Sequence, residues 1–298
     1  NALGVARSLG KVHIPVFLLI ESGSNSYVGK SKYVNETYYL NSCYDLINDY
    51  VSCLALKYTK LFLFPLSDKS ARVVDEKFWG FPKNVISPNM KGRMQEYQNK
   101  ALLKEYALSV GMKVPQGIDV DLNRNPNMIS WSTYPAIIKP LVSIEGKKTD
   151  IRTVNNQNQL INALLYYKEQ GYNRALIEEY VCGSDAHMIE VMGYCSQGKA
   201  VINGIISKIR EFPIGNGSTS YASIVDHHEG IIESIVVKFV EGLEFSGIFD
   251  MEFKYANGDC FFIECNFRNG APGYALTLSG RNIPVMWINS FEKEKLNT

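Results

Sequence analysis

The chain has 298 residues, which at roughly 100–200 residues per domain makes two or three domains. Its 31 Lys and Arg against 30 Asp and Glu leave a net charge of +1, so neither a nucleic-acid partner nor a polybasic membrane anchor is expected. Apolar residues make up 46%, and the apolar runs, such as Ile14–Ile20, fall far below the ~20 residues of a membrane span, so the chain reads as soluble and cytoplasmic.

Taken in order, residues 1–10 read as a helix ending at a glycine, followed by a buried strand over Ile14–Ile20. A helix leading straight into a parallel strand suggests an earlier strand upstream. Ser42 to Tyr58 has helical patterning and Leu61–Pro65 is a short buried strand, so a parallel sheet is expected up to about residue 85. Gly80, Pro82, Ser87 and Pro88 break the pattern. Asn89 can then cap one long helix through Met94, Tyr97, Ala101 and Leu108 to Gly111. A strand over Tyr134–Pro140 precedes a helix from Gln157 to Gln170, capped by Asn155 or Asn156, and a strand at Ala175–Val181.

From Cys182 onward the strands lengthen. His187–Cys195 and Lys199–Lys208 flank a Gln197-Gly198 turn, Ile231–Val240 is an amphipathic helix, and Ser246–Tyr255 pairs with Cys260–Arg268 around Asn257-Gly258. Three units result: an N-terminal α/β domain over 1–88 lacking its first strand, a linker helix and small lobe over 89–182, and a C-terminal lobe over 183–298. The six cysteines, Cys43, Cys53, Cys182, Cys195, Cys260 and Cys265, form no CxxC pair and read as free thiols. In Asp226-His227-His228 the neighbouring side chains diverge, so the run is expected to lead into the next helix rather than hold a metal.

The last hairpin is the most informative segment. Alternation puts Asp250, Glu252 and Lys254 on one face of its first strand, and Phe262, Glu264, Asn266 and Arg268 on one face of its second. A two-residue turn would set Glu252 opposite Ile263. A three-residue loop or an equivalent bulge sets Glu252 opposite Glu264 and Asp250 opposite Asn266. Two facing glutamates repel each other unless a cation lies between them, and an adjoining carboxamide and arginine suit a magnesium ion carrying phosphate. Lys208 and Arg210 alternate with Ser207 and Ile209, which puts both cations on one face.

These residues resemble the ATP-grasp superfamily, most closely its carboxylate–amine ligase branch, with likeness to the D-aspartate ligase, D-alanine–D-alanine ligase and biotin carboxylase types. The family's last motif pairs a Glu on one strand with Glu-x-Asn-x-Arg on the next, here Glu252 and then Glu264, Asn266 and Arg268. The resemblance runs upstream in order over nearly the whole chain. It implies an ATP-grasp fold, α/β with α+β lobes, behind an N-terminal parallel-sheet domain.

For the nucleotide, the resemblance implies Lys100 and Lys139 facing the phosphates and Glu178 near the adenine amino group. It also implies the Glu179 carbonyl and Val181 amide on the purine edge, and Asp185 on the ribose hydroxyls. It implies Mg²⁺ or Mn²⁺ on Glu252, Glu264 and Asn266, with Lys208, Arg210 and Arg268 stabilising the transferred phosphoryl group. The glycine-rich phosphate loop of many members is sparse here: between Leu141 and Lys148, with Ser143 and Lys147 inside, stands a single glycine, Gly146.

The activity implied is ATP-dependent joining of a small carboxylic acid to an amine through an acylphosphate. Bicarbonate as the acid, or ATP binding without turnover, are the alternatives. A homodimer is compatible with the sequence, which by itself sets no oligomeric state.

Overall fold

In the computed structural model, which describes all residues except 22–25, 42, 43, 45, 143, 146–149, 213–217 and 293–298, helix α1 (Ala2–Gly10) leads into strand β1 (Phe17–Glu21). Strand β2 (Glu36–Leu40) pairs with it in parallel. Helix α2 (Ile47–Ala55) begins later than the expected Ser42, which with Cys43 lies outside the described residues. Strand β3 (Leu61–Phe62), helix α3 (Asp68–Glu76) and strand β4 (Val85–Ile86) give a second parallel pair.

The expected single sheet is therefore two two-stranded ones among the described residues. A cavity of about 590 Å³ separates them, lined by consecutive residues of β1 and of the segment 60–66, so no ladder joins the two edges.

Helix α3 opens with a reciprocal cap. The Ser67 hydroxyl accepts from the Ser70 N–H, and the Ser70 hydroxyl accepts from the Ser67 N–H, which fixes Asp68 in the first turn. Near its other end the wholly buried Asp75 carboxylate accepts from the N–H groups of Met90 (2.5 Å), Gly92 (3.1 Å) and Met94 (2.8 Å). One carboxylate here satisfies a donor of the next helix's first turn, Met94, together with two donors of the turn before it.

The single helix expected over residues 89–111 is two, α4 (Met94–Tyr97) and α5 (Lys100–Ser109). Asn99 breaks it by capping α5, its side-chain oxygen accepting from Ala101 and Leu102, while its backbone bridges to Val142. The Lys100 N–H also donates to the Leu141 carbonyl at 3.0 Å, which ties the start of α5 to the next sheet.

That sheet holds β5 (Gly117–Asp121), β6 (Ala136–Pro140), β7 (Arg152–Val154) and, after helix α6 (Gln157–Glu169), β8 (Arg174–Glu179), in the order β5-β8-β6-β7. Helix α6, capped by Asn156, lays Leu160, Leu164 and Tyr167 on Ala136, Ile138, Ala175 and Ile177. Period two then turns Ile137, Lys139, Leu176 and Glu178 to the opposite face.

The larger sheet has the order β11-β10-β9-β12-β13. It is built from β9 (Met188–Ser196), β10 (Lys199–Phe212), β11 (Ser218–Val225) and, after helix α7 (Glu233–Gly242), β12 (Gly247–Ala256) and β13 (Asp259–Asn266). One face packs Ile189, Val191, Met251 and Phe253 against Leu103 and Ala107 of α5 and Val236, Phe239 and Val240 of α7. Ile232, expected in that apolar stripe, is exposed because the helix starts one residue after it.

The other face carries Met192, Ile206 and Ile248 beneath helices α8 (Gly273–Leu278) and α9 (Ile283–Ser290). Further along, the same face carries the acids described below. Among the described residues no helix is long and apolar enough to cross a membrane.

Candidate active site

Across the large sheet three glutamates stand in one row. Glu252 of β12 lies directly opposite Glu190 of β9 on one side and Glu264 of β13 on the other, and Asp250 lies opposite Asn266. The hairpin reaches this register by the bulge that the sequence left open as one alternative. Its turn is the short one, with Ala256 opposite Asp259 and Asn257 and Gly258 both at positive φ. A bulge between Glu252 and Phe253 on one side, and Glu264 and Phe262 on the other, restores the glutamate pair.

A lysine faces this row. The Lys208 ammonium, 3% exposed as a residue, lies 3.2 Å from both Glu190 and Glu252 and 3.5 Å from Glu211. Burial works against its charge, but Glu252 and Glu190 outweigh burial and raise its pKa above the ordinary lysine value. For Glu252 the balance is reversed. Burial, reinforced by Glu264 and Glu190 and only partly offset by Lys208, pushes its carboxyl up to about 7. Asp250, buried beside them, is held well above the usual carboxylate range by burial and by Glu190 and Glu252. Its Oδ1 has no hydrogen-bond partner among the described residues.

The small sheet presents the opposite composition. Glu178, 2% exposed, takes Lys104 of α5 on one carboxylate oxygen and Lys139 of β6, at 2.6 Å, on the other. Burial disfavours its charge, yet the two ammoniums hold its pKa below the ordinary value. Burial, with the Lys139 charge beside it, brings Lys104 down to about 7 in spite of Glu178.

Lys100, one turn earlier on α5, is also buried. Burial lowers its pKa, and it sits in the fields of Glu264, Lys139, Asp68 and Glu178. Lys100 thus feels one acid of the glutamate row, Glu264, and both Lys139 and Glu178 of the small sheet.

The remaining expected residues divide. Arg268 is held by Asp68 of α3, Nε to Oδ1 at 2.8 Å and Nη2 to Oδ2 at 3.3 Å, and donates from Nη2 to Asn266 Oδ1 at 3.0 Å. Asn266 therefore stands beside both the arginine and the glutamate pair. Arg210 does not share the Lys208 face. Register shifts on either side of Arg210 invert the alternation, so Glu211 turns inward to Lys208 while Arg210 is exposed against Ser220.

The Glu179 N–H donates to the Gln116 carbonyl and the Tyr180 N–H to that of Pro135. The chain then leaves the sheet through Val181 as an irregular segment, held at Gly183 and Ser184 by the Lys254 ammonium. The Asp185 side chain, Ser143 and Lys147 lie outside what is described.

Sequence reasoning missed Glu190, Lys104 and Asp68. Glu190 carried a signal, being a single acid between Ile189 and Val191 in an apolar strand. Lys104 carried a weaker one, a lysine one turn from Lys100 beside the buried Leu103. Asp68 reads as an ordinary first-turn acid of a capped helix.

The donor set of the acid row fits a hard divalent cation. Glu252 and Glu264 offer carboxylate oxygens from adjacent strands, and the row carries more negative charge than Lys208 neutralises. Among the described residues no three His, Cys, Asp or Glu side chains form a closed metal cage. A magnesium ion held here would keep positions for phosphate oxygens.

No protein-family model matches the chain. Among curated proteins it is similar to the D-aspartate ligase of Enterococcus faecium (strain Aus0004), 26% identical over 163 residues, which is 50% of this chain but 38% of that ligase. Among solved structures it superposes on the biotin carboxylase of Campylobacter jejuni with a TM-score of 0.70 and 17% identity, covering 96% of this chain and 67% of that one. With the L-amino acid ligase of Bacillus licheniformis the TM-score is 0.66 at 15% identity, over 95% and 72%. With the D-alanine–D-alanine ligase of Helicobacter pylori it is 0.60 at 15% identity, over 92% and 98%.

All of these are ATP-grasp proteins. The chain shares their fold, the ATP-grasp fold, as its motifs led one to expect.

Proposed function

We propose that the chain is an ATP-dependent carboxylate–amine ligase that works through an acylphosphate on small-molecule or amino-acid substrates. The observation that carries this reading is Glu264, paired across the strands with Glu252, acting on Lys100, which also feels Lys139 and Glu178. Acids gathered on one sheet and lysines on the other suit the two ends of a metal–triphosphate complex.

Glu252, Glu264 and Asn266 are the residues that would hold Mg²⁺. The ion, when bound, would neutralise charge on the triphosphate. Lys100 and Lys139 neutralise the inner phosphates. The backbone at Glu179 and Val181 offers an acceptor and a donor to the purine edge, with Asp185 at the ribose. Lys208 and Arg268 face the charge that builds on the transferred phosphoryl group. Arg210, outside the bulge, takes no part.

The substrate carboxylate attacks the γ-phosphorus and expels ADP, and the amine then displaces phosphate from the acyl carbon. Both steps demand positioning and charge neutralisation rather than a protein nucleophile. The likeness to D-aspartate ligase favours an amino acid as one substrate and makes D-aspartate the first acid to try.

The test is ADP release with Mg²⁺ across a panel of amino acids and amines. We expect one acid to elicit ADP, and Glu264→Gln to cut that rate at least ~100-fold. ATP hydrolysis insensitive to every acid, or undiminished in Glu264→Gln, would overturn the reading.

A further inference from the structure

Lys104 belongs to no motif singled out in the sequence, yet it is a buried lysine on a helix, 6% exposed and one turn from Lys100. Its partner Glu178 is gripped from two sides, a different lysine on each carboxylate oxygen. The space for this arrangement is built in. A Cβ at Gly117 would stand 2.9 Å from Glu178 Cγ and 2.9 Å from the Ile177 carbonyl oxygen.

If Lys139 serves a phosphate, it has to loosen its hold on Glu178. A carboxylate this deeply buried is strongly disfavoured without a counterion, so on its own it would hold Lys139 back. A second lysine already seated on the other oxygen removes that obstacle, because the carboxylate stays paired when the first one leaves. Lys104 comes from α5 whereas Lys139 comes from β6, so one can shift while the other stays.

We propose that Lys104 is a positioning residue of the nucleotide site: it keeps Glu178 paired while a triphosphate draws Lys139 toward itself. This rests on the nucleotide reading above and extends it to a residue that touches no part of the substrate.

The experiment is calorimetric titration of the full chain at pH 6, where Lys104 carries its proton, with β,γ-methylene ATP and Mg²⁺, using Lys104→Met, Lys104→Arg, Glu178→Gln and the Lys104→Met/Glu178→Gln pair. The unaltered chain is expected to bind. Lys104→Met should weaken binding by roughly tenfold or more, and Lys104→Arg should restore most of it. In turnover, Lys104→Met should raise KM for ATP while kcat stays within about twofold.

In the Glu178→Gln background, Lys104→Met should have no further effect, because no buried charge remains to be paired. The proposal is overturned if Lys104→Met binds as the unaltered chain does. It is equally overturned if the loss persists in the Glu178→Gln background, which would mark Lys104 as packing. An unaltered chain that binds no analogue overturns the nucleotide reading itself, and this inference falls with it.

Discussion

The two charge clusters have inverted compositions. On the large sheet three glutamates, Glu190, Glu211 and Glu252, surround one lysine, Lys208. On the small sheet two lysines clasp one glutamate, Glu178, with a third, Lys100, in its field. Each cluster taken alone leaves buried charge uncompensated, a condition that folding energetics disfavours. Each surplus is the complement of one part of a metal–nucleotide complex, the acids of the cation and the lysines of the polyphosphate. The contrast also separates one lysine shared by three acids from one acid shared by two lysines.

That contrast can be broken most sharply at Lys208. Lys208→Met takes the ammonium away from three acids and should cost about 3 kcal/mol or more of unfolding free energy, whereas Lys139→Met leaves Glu178 with Lys104 and should cost about 1 kcal/mol. Urea melts of both variants measure the difference, and equal losses would show that the clusters are not built differently.

A smaller effect is expected at the link between the acid site and the N-terminal elements. Asp68→Asn removes the charge that faces Arg268 and should cost about 1–2 kcal/mol. It should also raise KM for the acid or for ATP, which steady-state kinetics would detect.

The least disruptive test sharpens the lysine side through pH. Lys104 titrates at about 7 in the folded chain against an ordinary 10.5. Between those values the unfolded chain binds the proton and the folded chain does not, so this group makes stability rise with pH across that window. Below about pH 7 both states are protonated and its contribution is flat. Stability of the unaltered chain should therefore climb from pH 7 to pH 9 relative to Lys104→Met. Parallel pH curves would mean that Lys104 is not desolvated as described.

What was legible in the sequence was mostly local. The order of the longer elements, a cap at Asn155 or Asn156 and the turns at Gln197-Gly198 and Asn257-Gly258 follow from periodicity and turn chemistry, whereas the facing pair Glu252 and Glu264 was one of two open registers and is set by a bulge. Alternation failed at Lys208 and Arg210, because a bulge is an extra residue that strand periodicity does not announce. Helical periodicity failed at Asn99, whose side chain competes for the backbone of its own helix. The contacts of Arg268 with Asp68 and of Glu178 with Lys104 join residues 200 and 74 positions apart, a separation over which no local pattern carries information.

The Asp75 carboxylate also has a mechanical consequence. By gathering the N–H groups of Met90, Gly92 and Met94 it fastens α3 to the start of α4, and the neighbouring Asn89–Ser246 bridge ties the same stretch to the edge of β12. The joint between the N-terminal elements and the large sheet is thereby locked. The small sheet enters and leaves through residues 112–116 and 180–184 and is also tied to α5 by the Lys100 N–H on Leu141, the Asn99–Val142 bridge and the Lys104–Glu178 pair. Any swing of that sheet away from α5 has to break those ties.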